Sequence, residues 1–268
     1  MELLSLKPYD YFEAIQTRYN LLRRYPFISA HTIGKSVMGR EITAFFIGDA
    51  KEYSLFVGGI HGSAHFTAGF LYTFFGEVCD AFLKDGVIEG LKVKRAFDGR
   101  GLVVIPCLNP DGCEIASRGN SALYNLPHTT ARLAKKDFSA FSLNARGVDI
   151  NKIFSTLPQS EPESCSLKTF LEANSIRHII CFDKGDNKII LPSVKNMPKR
   201  SNRMAEIMLS GSSLGVSLRD DNIYEKGISE WFSEKYFKPA FTVLSEVNHN
   251  YADTYRALRE LMMLCAIM

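Results

Sequence analysis

Three short runs of this chain are apolar at almost every position: Ser54 to Ile60, Gly101 to Leu108 and His178 to Phe182. A strand with one wet face alternates apolar and polar residues, whereas an unbroken apolar run of this length fits a strand covered on both sides, as in a parallel sheet. Helix-like segments lie between and around these runs. Tyr11 to Tyr25 sets Ile15, Tyr19 and Leu22 at helical spacing and stops at Pro26. Thr67 to Lys84, Glu163 to Asn174, Ser201 to Leu214 and Tyr251 to Ile267 follow the same period. Ile42 to Ile47 adds a strand beside Ser54 to Ile60, across the polar turn Gly48 to Glu52, and the polar stretch Ser117 to Ser142 is expected to be irregular. The pattern predicts an α/β fold, a mixed and mostly parallel twisted sheet with helices on both faces. With 268 residues, 46% of them hydrophobic, and no repeat or linker, it predicts a single domain over residues 1–268.

Charge narrows the partners. The 32 basic and 29 acidic side chains leave a net +3 with no long run of one sign, so no footprint for nucleic acid is expected. No segment approaches about 18 uninterrupted apolar residues, so no membrane span is expected. The first residues also lack a basic region followed by a long apolar stretch. Cys79, Cys107, Cys113, Cys165, Cys181 and Cys265 show no Cys-x-x-Cys spacing, which together with that start points to free thiols in the cytoplasm.

Several blocks carry more specific information. In order they are Ile33-Gly-Lys-Ser-Val-Met-Gly-Arg-Glu-Ile42, Gly58-Gly-Ile-His-Gly62, Val104-Ile-Pro-Cys-Leu-Asn-Pro-Asp-Gly112 and Arg146-Gly-Val-Asp-Ile-Asn-Lys152. Ser160-Glu-Pro-Glu163, Gly227-Ile-Ser-Glu-Trp-Phe232 and Pro239-Ala-Phe-Thr-Val243 complete the series. Their order and spacing resemble the carboxypeptidase A-like family of zinc metallopeptidases. The last blocks look most like bacterial members that cut γ-D-glutamyl-diaminopimelate bonds of cell-wall peptides. The resemblance runs from about residue 10 to residue 260 and implies a zinc carboxypeptidase-like fold, with the stretch before Ser142 walling the substrate cleft.

The resemblance also implies a site, and this chain departs from it at chosen places. A zinc peptidase of this kind needs three protein ligands and an open fourth position for water. His61 fits the first, but the glutamate expected three residues later is Ala64. The third falls on Asp183 when counted back from Pro192, or on Phe182 when aligned on Gly185. His65 is the candidate to replace the lost glutamate. A plain structural role stays open for each: His61 donating to a backbone carbonyl, Asp183 forming a turn, and His65 with Phe66 opening a helix. The general base becomes Leu244, with Glu246 two residues on as the alternative, displaced by roughly 6 to 7 Å along a strand. Asn151 and Lys152 match the pair that receives a substrate carboxylate, and lysine keeps the charge while losing the bidentate fork. The oxyanion cation becomes Ser142, and Asn109, Asp111 and Asp149 match scaffold positions.

Two functions follow from the resemblance. One is a non-catalytic or weakly active descendant that binds a peptide or a peptidoglycan-derived peptide through Asn151 and Lys152. The other is a metallopeptidase with a remodelled zinc site of His61, Asp183 and His65 and with Glu246 as base.

Overall fold

The computed structural model describes residues 9–155, 161–218, 227–247 and 250–268. Its centre is one eight-stranded sheet. β1 (Ser29–Lys35) and β2 (Glu41–Ile47) form an antiparallel hairpin that pairs with β6 (Gly101–Ile105). β6 then runs parallel to β3 (Tyr53–Val57), β3 to β7 (Ile176–Lys184), and β7 to β10 (Ala240–Ser245). β8 (Lys188–Leu191) pairs antiparallel with β10, and β9 (Gly215–Leu218) closes the far edge. A two-stranded ribbon, β4 (Val87–Ile88) with β5 (Leu91–Lys92), stands apart.

Helices cover both faces of the sheet. α1 (Tyr11–Arg24), α2 (Phe66–Lys84), α7 (Lys199–Ser210) and α9 (Tyr251–Ile267) share one core with Phe56, Val104, Ile180 and Phe241. α6 (Pro162–Ala173) and α8 (Ile228–Tyr236) bury Leu167, Leu171 and Phe232 against Leu55, Val103 and Ile179 on the other side. Strand residues one apart therefore belong to opposite cores, the period-2 alternation of a sheet wet on neither face. Among the described residues no helix is long and apolar enough to cross a membrane.

The expected architecture is present, with local corrections. α1 spans the expected residues, with Asp10 capping Glu13 N–H at 3.0 Å, but its buried face is Ala14, Thr17 and Leu21, while Tyr19 is 68% exposed. The moderately apolar pattern left two nearby faces open, and packing on β1 chose between them. The stretch Ser117 to Ser142 is not wholly irregular. It holds the short helices α3 precedes in sequence (Val93–Ala96), namely α4 (Pro110–Arg118), whose last turn enters it, and α5 (His128–Ala134), with a 3-10 turn Gly119–Ala122 between them. A small apolar cluster of Ile115, Ala134 and Phe141 holds this stretch together.

Two polar anchors fix the loops at the carboxyl ends of the central strands. Asn109 caps α4 by accepting Gly112 N–H at 2.9 Å, with Pro110 at the first helical position, where a missing N–H costs nothing. Asp111 is fully buried and accepts from Ser36 Oγ at 2.8 Å, Met38 N–H at 2.8 Å and Arg40 at 2.6 Å. It thereby ties the β1–β2 turn to the start of α4.

Candidate functional site

The chain leaves β3 for β6 on one side and reaches β7 on the other, so neighbouring connections diverge above β3 and β7. Crevices of this kind, at the carboxyl ends of strands where the order reverses, are where open α/β sheets place ligands. His61 follows β3 and Asp183 lies near the end of β7, so both stand at that crevice.

The loop that presents His61 is tightly constrained. Gly59 has φ +53°, and a Cβ there would lie 2.8 Å from Cys107 Sγ and 3.0 Å from its Cα. A Cβ on Gly62 would meet the Gly112 and Phe141 carbonyl oxygens at 2.5 Å. Asn109 Nδ2 donates to the Ile60 carbonyl at 3.2 Å, and Gly62 N–H donates to the Ser142 carbonyl at 3.2 Å. The two glycines and these bonds leave the imidazole one approach, between two carboxylates.

His61 Nδ1 lies 2.5 Å from Asp183 Oδ2, and Nε2 lies 3.1 Å from Asp149 Oδ1. Ionised carboxylates only accept, so both ring nitrogens carry hydrogen and the ring is an imidazolium. Burial works against that charge, but Asp183 and then Asp149 outweigh it and push the His61 pKa up to about 10. Asp149 is likewise held below the usual carboxylate range: burial opposes this, and the His61 bond and charge and the Lys152 and Asn151 N–H groups prevail. The remaining oxygen of Asp183 takes its neighbour's N–H at Lys184, 2.8 Å away.

The other expected site residues are placed as follows. Ala64 is fully buried in the 3-10 turn Gly62–Ala64, and its carbonyl accepts Thr67 Oγ1 at 2.8 Å. His65 turns its Nδ1 to the Tyr9 N–H, 3.5 Å away, and sets its ring against Phe66. Burial, and then the Lys184 charge, lower the His65 pKa to about 4, so this ring is neutral. Phe182 packs in the opposite core against Phe56, with ring centroids 5.5 Å apart, so Asp183 is the residue at the crevice. Leu244 pairs with Asp183 across the β7–β10 ladder and covers Gly185, where a Cβ would lie 2.9 Å from Leu244 Cδ1. Glu246 is exposed past the end of β10, beside Asn187, Asn250 and Asp253, and its N–H donates to Asn187 Oδ1 at 2.9 Å. Asn151 Oδ1 accepts Ile228 N–H at 2.9 Å at the start of α8. Lys152 is exposed and opens the 3-10 turn Lys152–Ser155. The structure thus brings His61 and Asp183 together, and it places His65 and Glu246 in other surroundings.

Asp149, expected at a scaffold position, is a member of the site instead. It is quoted in the block Arg146 to Lys152, but its contact with His61 spans 88 positions and leaves no local trace. A carboxylate in that block, beside a lone histidine ligand candidate, is the one signal available, since metal-bound histidines commonly donate their second nitrogen to such a group.

The donor set can be tested for zinc. Ligands at about 2.0 to 2.2 Å from a tetrahedral ion stand roughly 3.3 Å from one another. The 2.5 Å approach of His61 to Asp183 is a direct hydrogen bond with no room for an ion between them. With Nδ1 taken by Asp183 and a methyl at position 64, these residues as placed do not fit a three-ligand zinc site, while the Asp149 contact is one that a ligand histidine also makes. Among the described residues no group of three or more His, Cys, Asp or Glu is arranged to hold a metal.

Comparison with known proteins places this geometry in context. Residues 15–207 match the zinc carboxypeptidase family model. The γ-D-glutamyl-L-diamino acid endopeptidase 1 of Lysinibacillus sphaericus is 24% identical over 260 residues, covering 88% of this chain and 65% of that protein. An uncharacterized Bacillus subtilis protein, YqgT, is 25% identical over 246 residues, covering 82% of this chain and again 65% of the relative. The chain thus spans 65% of the length of both curated relatives. Among solved structures, bovine thrombin-activatable fibrinolysis inhibitor, in complex with tick carboxypeptidase inhibitor, superposes with a TM-score of 0.75 at 16% identity, covering 97% of each chain. That likeness is one of fold.

Proposed function

The chain belongs to the zinc carboxypeptidase family, and we propose that this member binds peptides in the crevice above β3, β7 and β10 and hydrolyses them weakly or not at all. The observation that carries this reading is the direct His61–Asp183 bond, which joins one ring nitrogen to one carboxylate oxygen at a distance that admits no ion between them. Leu244 at the base position and Ser142 at the oxyanion position point the same way, since an aliphatic chain takes no proton and a serine hydroxyl supplies no cation. Lys152 is the side chain we assign to a ligand carboxylate, as a point charge. The ligand class is taken from the Lysinibacillus relative, whose name specifies γ-D-glutamyl-L-diamino acid bonds. Cell-wall peptides of that type are therefore the first ligands to try.

The test is titration calorimetry with a γ-D-glutamyl-diaminopimelate peptide, with mass spectrometry of the same mixture for cleavage, each with zinc and with chelator. Binding that ignores chelator, without product, is expected. Product that disappears on chelation would reverse the reading and favour a zinc site remodelled around His61 and Asp183. The adjacency of those two residues is the observation that keeps this second reading specific.

A further inference from the structure

In a metal-dependent member the ion does two jobs: it supplies chemistry, and it ties together the chain segments that ligate it. We infer that the second job survives here without the ion, and that the His61 ring, hydrogen-bonded through one nitrogen to Asp183 and through the other to Asp149, is a permanent cross-link that keeps the crevice assembled. The inference rests on the same geometry as the proposed function, but it concerns what holds the site rather than what the site does.

Two strands already paired in the sheet and one distant turn meet at this ring. His61 belongs to the loop after β3, Asp183 to the end of β7, and Asp149 to the turn before Lys152, at separations of 122 and 88 positions along the chain. Each carboxylate is also fastened within its own segment. Asp149 Oδ1 accepts the N–H groups of Asn151 at 3.1 Å and Lys152 at 3.2 Å, and Asp183 Oδ1 accepts that of Lys184 at 2.8 Å. The ring therefore joins two local turns that are already preorganised. All three side chains are mostly enclosed, at 17% exposure for His61 and Asp149 and 11% for Asp183, so water screens the contacts weakly.

An imidazolium with a carboxylate on each nitrogen is a two-coordinate linker that needs no outside component. This accounts for the residue type at position 183. A neutral apolar residue there would leave His61 with one partner. An aspartate completes the charge and accepts the hydrogen. The loss of metal ligands at 64 and 183 and the gain of this bond are then one change seen from two sides.

The cross-link makes demands that peptide binding does not. Asp183→Asn keeps the shape of the side chain and removes its charge, and it is expected to lower the melting temperature by on the order of 10 °C. In a His61→Phe background the same substitution should cost nothing or raise the melting temperature, because it then removes an unpaired carboxylate. The wild-type melting temperature should be the same in chelator and in excess zinc, a measurement that needs no variant to fold.

Equal losses from Asp183→Asn in both backgrounds, or a melting temperature raised by zinc, would overturn the cross-link. The two claims separate cleanly. Peptide cleavage by a protein whose melting temperature ignores zinc would sink the proposed function and leave the cross-link standing. Zinc stabilisation without cleavage would do the reverse.

Discussion

Leu244 stands directly across from Asp183 in the parallel β7–β10 ladder, so an aliphatic side chain and a carboxylate share one level and one face of the sheet at the crevice. These are the two positions at which the resemblance implies a general base and a metal ligand. Here the aliphatic side chain accepts no proton, and the carboxylate of the pair is engaged by His61 and the Lys184 N–H. The departures at 183 and 244 are thus neighbours in space, although 61 positions separate them along the chain.

If the crevice keeps its ancestral shape, the missing donors can be restored. Ala64→Glu with Asp183→His removes the direct His61 bond and supplies three ligands, and zinc affinity measured by competition with a chromogenic chelator should rise by at least two orders of magnitude. A double variant that folds and still binds no zinc would show that the loop after β3 has moved.

Lys152→Ala should weaken binding of a carboxylate-ended peptide about 10-fold, the loss of one charge-assisted hydrogen bond, while Lys152→Arg should retain or tighten it through a forked contact. Calorimetry on both variants checks this. Unchanged affinity in Lys152→Ala would remove the proposed carboxylate pocket.

Asp111 tests the scaffold separately from the site. Its carboxylate is fully buried beneath Arg40, Ser36 and the Met38 N–H, so Asp111→Ala strips three donors of their acceptor and leaves the partly exposed Arg40 with Glu114, at 4.0 Å, as its one ion-pair partner among the described residues. A loss of about 3 to 5 kcal/mol in urea unfolding is expected. A loss below about 1 kcal/mol would mean the turn between β1 and β2 is held by something else.

The acid limb of stability should report His178. Its Nε2 lies 2.9 Å from the Cys265 carbonyl and its Nδ1 is buried with no partner among the described residues, so the ring is neutral when folded. Burial, and then the Arg177 charge, lower its pKa to about 3. The unfolded chain takes up that proton near pH 6.5 and the folded one does not, so stability falls as the pH drops from 6.5 toward 3, by about 1.4 kcal/mol per pH unit for this one group. His178→Gln should flatten that limb by one proton. His61 has the opposite sign: its raised pKa contributes stability that is complete below about pH 6.5 and is lost as the pH climbs through about 10. An acid limb of equal slope in His178→Gln would contradict the assignment.

Much of the fold was legible because its signals are local. The continuous apolar runs became β3, β6 and β7, and α9 spans Tyr251–Ile267, the residues its period predicts. The short β8 and β9 escaped because four-residue strands have too few positions to show a period, and α5 escaped because its seven residues are mostly polar or small. The site was half legible. Position 183 was narrowed to two neighbouring residues, and only the pairing register could separate Asp183 from Phe182, because one step along a strand exchanges the faces. Asp149 was legible only as a carboxylate in the Arg146 to Lys152 block, since its contact with His61, 88 positions away, leaves no local pattern.

The central claim is that His61 is an imidazolium bonded on both sides and closed to metal, and nitrogen-15 NMR of its ring at neutral pH, before and after one equivalent of zinc, addresses it directly. The account predicts two protonated ring nitrogens whose shifts zinc leaves in place. One nitrogen without hydrogen, moving to a metal-bound position as zinc is added, would contradict it.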